Sequence, residues 1–290
     1  TSAGAFAEAR SHLMQALVRF KKLGDTRAQV AIEGNMAALS FSLGRVEEAL
    51  EYCERYLGGS RACGRRWGIA NAASIAGELN LLCGRLAEAK ASFGEAVAMY
   101  EEMGVPTERV LAQYGVARVL QAEGDHESAS AMIADVLERA RDLGVTDLEC
   151  ECNLSMGRRL WEEGRSDEAR ERFRWACARR DDLGLPDLLG LAPCHLALVS
   201  PGDVEAAQAA VREHGPRMSV SSALEAHALL WKATHEPRHL AEAKRLLDHL
   251  VEHAPEACRE SMRKNVRLHR KIVEACAEHG EKAVGEGDPD

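Results

Sequence analysis

The sequence predicts an all-α protein, a superhelical solenoid built from antiparallel helix pairs. Two sets of glycines recur every forty residues, and the sets are offset from each other by twenty residues. The first set is Gly4, Gly44, Gly84, Gly124 and Gly164, and the second is Gly24, Gly64, Gly104, Gly144 and Gly184. Apolar segments of helical length lie between them, and no segment has the alternation of a strand. This pattern is typical of stacked helical hairpins.

The first set of glycines predicts the turn inside each hairpin. An alanine follows five residues after each of them, at Ala9, Ala49, Ala89, Ala129 and Ala169. A small residue also precedes four of them by seven residues, at Ala37, Gly77, Ala117 and Gly157. Small side chains on both helices of a hairpin allow close packing, which a larger side chain would prevent.

The second set of glycines predicts the end of each second helix. A glycine at this place can adopt the positive φ that commonly ends a helix. Helix-starting residues follow, such as Asp25–Thr26 and Pro106–Thr107. The chain is therefore expected to alternate between turns within hairpins and turns between hairpins.

These signals divide the chain into five segments. Residues 1–24 are expected to be the second helix of a truncated repeat, and 25–184 to be four forty-residue repeats. The period weakens after 184, so 185–254 are expected to be two shorter, degenerate repeats. Residues 255–279 are expected to form a C-terminal capping helix that begins at Pro255, and 280–290 a disordered acidic tail.

Composition limits the partners and the location. The formal net charge of −9 opposes binding to nucleic acid, whose phosphates require many basic contacts. No apolar run is long enough for a membrane span, and the first residues lack a signal-peptide pattern. The nine cysteines are irregularly spaced within apolar segments, as expected for reduced thiols. We therefore expect a cytoplasmic protein without nucleic-acid or membrane partners.

The small residue, glycine and alanine of each unit resemble tetratricopeptide repeats, in the long, about forty-residue form found in bacterial regulatory proteins. The resemblance covers nearly the whole chain. Two departures are a usual alanine replaced by Tyr56 and Val136, and a usual aromatic replaced by Ser40, Asn80, Leu120 and Leu160. The resemblance implies a right-handed superhelix whose first helices line a concave groove.

Ligand contacts in such repeats fall at a few positions of each first helix. The resemblance places groove candidates at Phe41, Asn71, Glu78, Tyr114, Arg118, Glu151, Arg158 and Trp161. Arg118 and Arg158 would stack in successive repeats and could bind a carboxylate or a phosphate. Alternatively, these arginines pair with Glu78, Glu151 and other acids. The combination of Lys and Asn residues that the chaperone-tail clamp requires is missing from these positions.

Evidence for an enzyme is weak. The segment from His249 to His253 matches an inverted zinc-protease pattern, in which two histidines on one helix face bind zinc. A solvated helix face explains the match better, and Cys150 and Cys152 point in different directions on a helix. Phosphate-binding loops and nucleophile elbows are missing. We expect a non-catalytic protein without cofactor or metal.

Two functions remain open. The first is a protein- or peptide-binding scaffold or regulatory module, part of a larger bacterial signalling protein. The alternative is a repeat domain that senses a small molecule or signalling peptide and controls an attached effector domain. The helix in 1–24 would leave part of its apolar face open, so a homodimer through this N-terminal end is also possible.

Overall fold

A computed structural model describes the backbone of residues 2–285 and the side chains of residues 6–278. Within that part the chain forms fifteen α-helices, two short 3-10 helices and no strand. The α-helices are α1 (Ser2–Leu23), α2 (Thr26–Ser42), α3 (Val46–Ala62), α4 (Arg66–Leu82), α5 (Leu86–Met103), α6 (Pro106–Glu123), α7 (His126–Leu143), α8 (Thr146–Glu162), α9 (Ser166–Leu183), α10 (Pro186–Ala197), α11 (Val204–His214), α12 (Val220–Thr234), α13 (Pro237–Glu252), α14 (Glu256–Lys264) and α15 (Arg267–Gly285). The 3-10 helices are Pro201–Asp203 and Gly215–Arg217.

Helices α2 to α9 form four hairpins that repeat every forty residues. The turn of the first hairpin shows how each one closes. Gly44 has a φ of 69°, and the amide of Arg45 donates to the carbonyl of Ser40 at 2.9 Å. This geometry satisfies one of the carbonyls that a helix end leaves without a partner. The predicted all-α fold of antiparallel helix pairs is confirmed.

Neighbouring helices pack closely where an aromatic ring on one helix contacts a glycine on the next. The ring of Phe93 on α5 packs between Gly77 on α4 and Gly115 on α6. A Cβ atom built on Gly77 would lie 2.7 Å from that ring, and one built on Gly115 would lie 2.4 Å from it. Phe173 makes the same contact with Gly157, where the corresponding distance is 2.4 Å. Three successive helices are thus joined through one aromatic ring.

The C-terminal part is less regular. Helices α10 and α11 contain 12 and 11 residues, shorter than the 17 or 18 residues of α2 to α9. The single capping helix expected over 255–279 is two helices, α14 and α15, because the chain leaves the helix at Asn265 and Val266. Helix α15 continues to Gly285, so the first half of the expected disordered tail is helical. Its remainder, 286–290, lies outside the described residues.

The array bends back on itself, and its last helices bind the turns of its first two hairpins. We call the four hydrogen bonds involved the closure contact. They are His249 Nε2 with Leu43 O (3.0 Å), Glu47 N with His253 O (2.8 Å), Ser261 Oγ with Cys83 O (2.6 Å) and Asn265 Nδ2 with Gly84 O (3.2 Å). Three of the acceptors are carbonyls at the C-terminal ends of α2 and α4. The closure contact therefore satisfies helix ends that would otherwise need water.

Apolar packing accompanies these hydrogen bonds. One continuous core cluster joins the first hairpins to the last helices; it includes Met36, Val46, Leu79, Leu247, Leu250 and Met262. The thiols of Cys83 and Cys258 meet inside it, and burial together with this neighbour raises the pKa of Cys83 to about 12. All nine cysteines carry free thiols, as the sequence indicates.

The two most deeply buried histidines carry no charge. His195 on α10 and His269 on α15 are 2 % and 3 % exposed. His269 Nδ1 lies 2.9 Å from the carbonyl of Met262, and His195 Nδ1 lies 3.0 Å from that of Leu191. Burial lowers the pKa of each imidazole from 6.5 to about 4. Both are therefore neutral in the folded protein at neutral pH.

Gly115→Ala is expected to lower the free energy of unfolding by about 1–3 kcal/mol, because the added methyl group overlaps the Phe93 ring. Gly94→Ala on α5 is the control, since its Cβ would meet no atom within 4 Å. That variant should gain up to about 1 kcal/mol from helix propensity. Urea unfolding measures both, and a Gly115→Ala protein as stable as Gly94→Ala would contradict the proposed contact.

Gly84→Ala tests the closure contact. Gly84 and Gly164 both have positive φ, 70° and 80°, so alanine strains the backbone of each. Only at Gly84 would the methyl group also meet α14, at 2.7 Å from the carbonyl of Ser261. Gly84→Ala should therefore lose about 1–3 kcal/mol more than Gly164→Ala. Hydrogen exchange in 256–264 should accelerate only in Gly84→Ala, and equal exchange in the two variants would rule out the contact.

Acid should destabilise the fold through His195 and His269, the two most deeply buried histidines. In the unfolded chain they bind protons below about pH 6.5, but in the folded protein only below about pH 4. Their contribution to stability is therefore full above pH 6.5 and is lost as the pH falls towards 4. Between pH 7 and 5 the loss is about 2 kcal/mol for each histidine.

Urea unfolding at several pH values measures this loss. His269→Gln should flatten the dependence on pH, whereas His12→Gln, at an exposed position on α1, should leave it unchanged. A stability that stays constant between pH 7 and 5 would contradict the neutral, buried state of these imidazoles.

Candidate functional site

A cavity of about 330 Å³ lies inside the array, where the C-terminal ends of α4, α6 and α8 face α12 and α15. The first helices of the hairpins supply one wall, including Leu81, Gln121 and Ser155. The opposite wall includes Leu229 and Lys232 of α12 and Lys271 of α15. The sequence predicts an open concave groove, and at this point the last helices form a second wall opposite it. This second wall follows from the bend that also produces the closure contact.

Arg118 lies in the wall of this cavity and is held by Glu78. One guanidinium nitrogen of Arg118 lies 2.7 and 2.8 Å from the two carboxylate oxygens of Glu78. The two residues are forty positions apart, so they occupy equivalent places in successive hairpins. The charge of Glu78 raises the pKa of Arg118, which therefore stays protonated. This pair is the one that the sequence offers as the alternative to ligand binding.

Arg158 bridges the cavity. Its guanidinium lies 2.5 Å from the carboxylate of Glu225 on α12, so the ion pair joins the two walls. Burial opposes the charge of Glu225, but the positive charge of Arg158 holds the pKa of that carboxyl below its usual value. The partner is thus Glu225 and not Glu151. Both arginines lie where a ligand could reach them, but each already has a carboxylate.

Tyr114 and Glu151 lie further along the interior. Tyr114 is buried, and its hydroxyl donates to the backbone carbonyl of Glu151 at 3.2 Å. The side chain of Glu151 stays accessible within the array. The surrounding walls exclude enough water to raise the pKa of its carboxyl to about 7, although Arg118 opposes this shift.

The other groove residues predicted from the sequence differ in their distance from the cavity. Trp161 lies beside the cavity residue Lys232, whose ammonium is 5.5 Å from the centre of its ring. Phe41 packs against the core cluster that joins the first and last helices, so it has a structural role. Asn71 lies near the hydroxyl of Tyr100 and does not line the cavity. The structure thus places Arg118 and Arg158 in the cavity wall and Trp161 next to it, and leaves Phe41 and Asn71 outside.

Sequence reasoning misses the residues of the second wall. Glu225, Lys232 and Lys271 belong to the part of the chain where the forty-residue period is lost. No repeat position could therefore assign them to the interior. The ion pair between Arg158 and Glu225 is the feature that reveals them.

The histidines of the zinc-protease pattern contact the backbone. His249 binds the carbonyl of Leu43 in the closure contact, and His253 Nδ1 lies 2.9 Å from the carbonyl of His249. Across the residues with described side chains, no three His, Cys, Asp or Glu residues are grouped to hold a metal ion. No described helix is long and apolar enough to cross a bilayer. These histidines therefore belong to the packing of the C-terminal helices.

The sequence of residues 108–182 matches the tetratricopeptide repeat family. No curated protein matches the chain in sequence. The fold matches a Rap protein complexed with competence and sporulation factor, with a TM-score of 0.62 and 16 % identity over 95 % of this chain and 81 % of that one. It also matches the Rap conjugation gene regulator of plasmid pLS20 in complex with the Phr* peptide, with a TM-score of 0.64 and 14 % identity over 88 % and 77 % of the two chains.

A third similar structure is a signal transduction ATPase with numerous domains from Pyrococcus horikoshii, which has a tetratricopeptide repeat sensor. Its TM-score is 0.52 at 15 % identity, over 97 % of this chain and 42 % of that one. These likenesses establish the fold, and the sequence match establishes the repeat type. Residues 108–182 thus match tetratricopeptide repeats in sequence, and the described chain as a whole has the helical-repeat fold of the similar structures.

Proposed function

We propose that this chain is a non-catalytic regulatory module that binds a peptide segment in the interior cavity. The observation that carries the proposal is the cavity itself, whose volume of about 330 Å³ falls in the range of small-ligand sites. Such a volume holds a few residues of a peptide and not a folded domain. One of the similar solved structures is a complex with the Phr* peptide, which supports the same class of ligand.

A sensing role is the second candidate, and the position of the cavity favours it. One wall comes from α4, α6 and α8, and the other comes from α12 and α15. The second wall is continuous with the helices that make the closure contact. A ligand in the cavity would therefore touch two parts of the chain whose relative position the closure contact fixes. A ligand that binds one arrangement of these two parts more tightly than another would shift the protein towards that arrangement.

We further propose that the module works in the cytoplasm as part of a bacterial signalling protein, without nucleic-acid or membrane partners. The negative net charge supports the exclusion of nucleic acid. Homodimerisation through α1 stays a prediction. Its outer face exposes Met14 by 41 % and Val18 by 49 %, which is the apolar surface such a contact would use.

Ala122→Trp is expected to abolish peptide binding. Ala122 is an exposed residue of the cavity wall, and an indole at this position would fill the cavity. A pool of random hexapeptides is mixed with the protein, and the peptides that co-elute with it are identified by mass spectrometry. The wild-type protein should retain a subset of the pool and should melt at a higher temperature with that subset present.

The matched control is Ala131→Trp, at an exposed position of α7 that does not line the cavity. It should retain the same peptides as the wild-type protein. Retention of these peptides by Ala122→Trp would place binding elsewhere, and a wild-type protein that retains no peptide would refute the proposed function.

A further inference from the structure

The cavity is lined by more positive than negative side chains, although the whole chain is acidic. Six cationic residues face it: Arg118, Arg158, Arg159, Lys232, Arg267 and Lys271. Only two carboxylates, Glu162 and Glu225, share the lining. A positive cavity in a chain of net charge −9 is a local arrangement that overall composition does not explain.

The four arginines are already paired with glutamates. Arg118 pairs with Glu78 and Arg158 with Glu225, as described above. Arg159 lies 2.6 Å from Glu163, and Arg267 lies 3.0 Å from Glu162. The pairs of Arg158 with Glu225 and of Arg267 with Glu162 join the two walls. The pairs of Arg118 and Arg159 lie within the first wall, so each of the four arginines already has a carboxylate.

The two lysines have no such partner. In the described part of the chain, neither Lys232 on α12 nor Lys271 on α15 has a carboxylate within ion-pairing distance. Burial lowers the pKa of the Lys232 ammonium, and the positive charge of Lys271 lowers it further. The face of Trp161 lies beside Lys232, where it favours a cation and restricts where the ammonium can move. The two ammonium groups therefore repel each other, and the two carboxylates of the lining, Glu162 and Glu225, are already paired with Arg267 and Arg158.

We infer that the ligand of this cavity presents a carboxylate to Lys232 and Lys271. This inference rests on the proposed peptide-binding function and names the chemistry that the peptide must carry. A carboxylate placed between the two ammonium groups would relieve their repulsion and join α12 to α15 through two charge-assisted hydrogen bonds. The carboxylate can come from an acidic side chain or from the C-terminus of the peptide.

Four pools of N-acetylated hexapeptides test the inference. Each pool has either Glu or Gln at one position, no Asp or Glu at any other position, and either a free or an amidated C-terminus. Only the pool with Gln and an amide therefore lacks a carboxylate. The wild-type protein should retain one carboxylate-bearing pool about tenfold more than the pool that lacks it, which is the size of one charge-assisted hydrogen bond. Retention of the amidated Glu pool identifies a side chain, and retention of the free-acid Gln pool identifies the C-terminus.

Lys232→Gln/Lys271→Gln should reduce this tenfold preference to about one. The matched control is Lys22→Gln/Lys244→Gln, which removes the same charge at positions away from the cavity and should keep the preference. Thermal melting verifies that both double variants are folded. As an independent readout, the retained peptides should slow acetylation of Lys232 by acetic anhydride, measured by mass spectrometry, and should leave Lys22 unaffected.

The outcomes separate the two proposals. Equal retention of all four pools by the wild-type protein, or a preference that persists in Lys232→Gln/Lys271→Gln, would overturn the carboxylate inference and leave peptide binding intact. A wild-type protein that retains none of the pools would overturn peptide binding in this cavity and the carboxylate inference with it.

Discussion

Close approach of neighbouring helices is the constraint on which this structure depends. Phe93 fits between α4 and α6 only because Gly77 and Gly115 carry no side chain, and Phe173 uses Gly157 in the same way. A hairpin cannot bury its apolar face alone, so the spacing between hairpins is set by these contacts. Repeated along the chain, that spacing sets the bend of the array. The bend then determines which distant residues can meet.

The closure contact is directed to backbone groups at the ends of helices. Each helix ends with carbonyls that have no partner within the helix, and its C-terminal end carries partial negative charge. At the ends of α2 and α4, the donors are supplied by His249, Ser261 and Asn265 from the last helices. Docking therefore uses a feature that every helix end possesses. The surrounding apolar cluster packs around these hydrogen bonds and excludes water.

The repeating part of the fold could be predicted from the sequence, since the glycine and alanine positions report directly on local turns and on helix contacts. The pair Arg118 and Glu78 was also within reach, because equivalent positions of successive repeats are stacked. The closure contact was not, because His249 and Leu43 are 206 residues apart and their meeting depends on the accumulated bend. The break between α14 and α15 and the cavity wall at Lys232 escaped prediction for the same reason.

The closure contact also changes how the array can come apart. In a linear stack each terminal hairpin has a single neighbour, so it can detach at the cost of one interface and expose the next. Here the first two hairpins hold α13 and α14 as well as their own neighbours, so neither terminal region is bound by one interface alone. Loss of order at one extremity removes support from the other. The molecule should therefore denature as a single cooperative unit and not by progressive fraying.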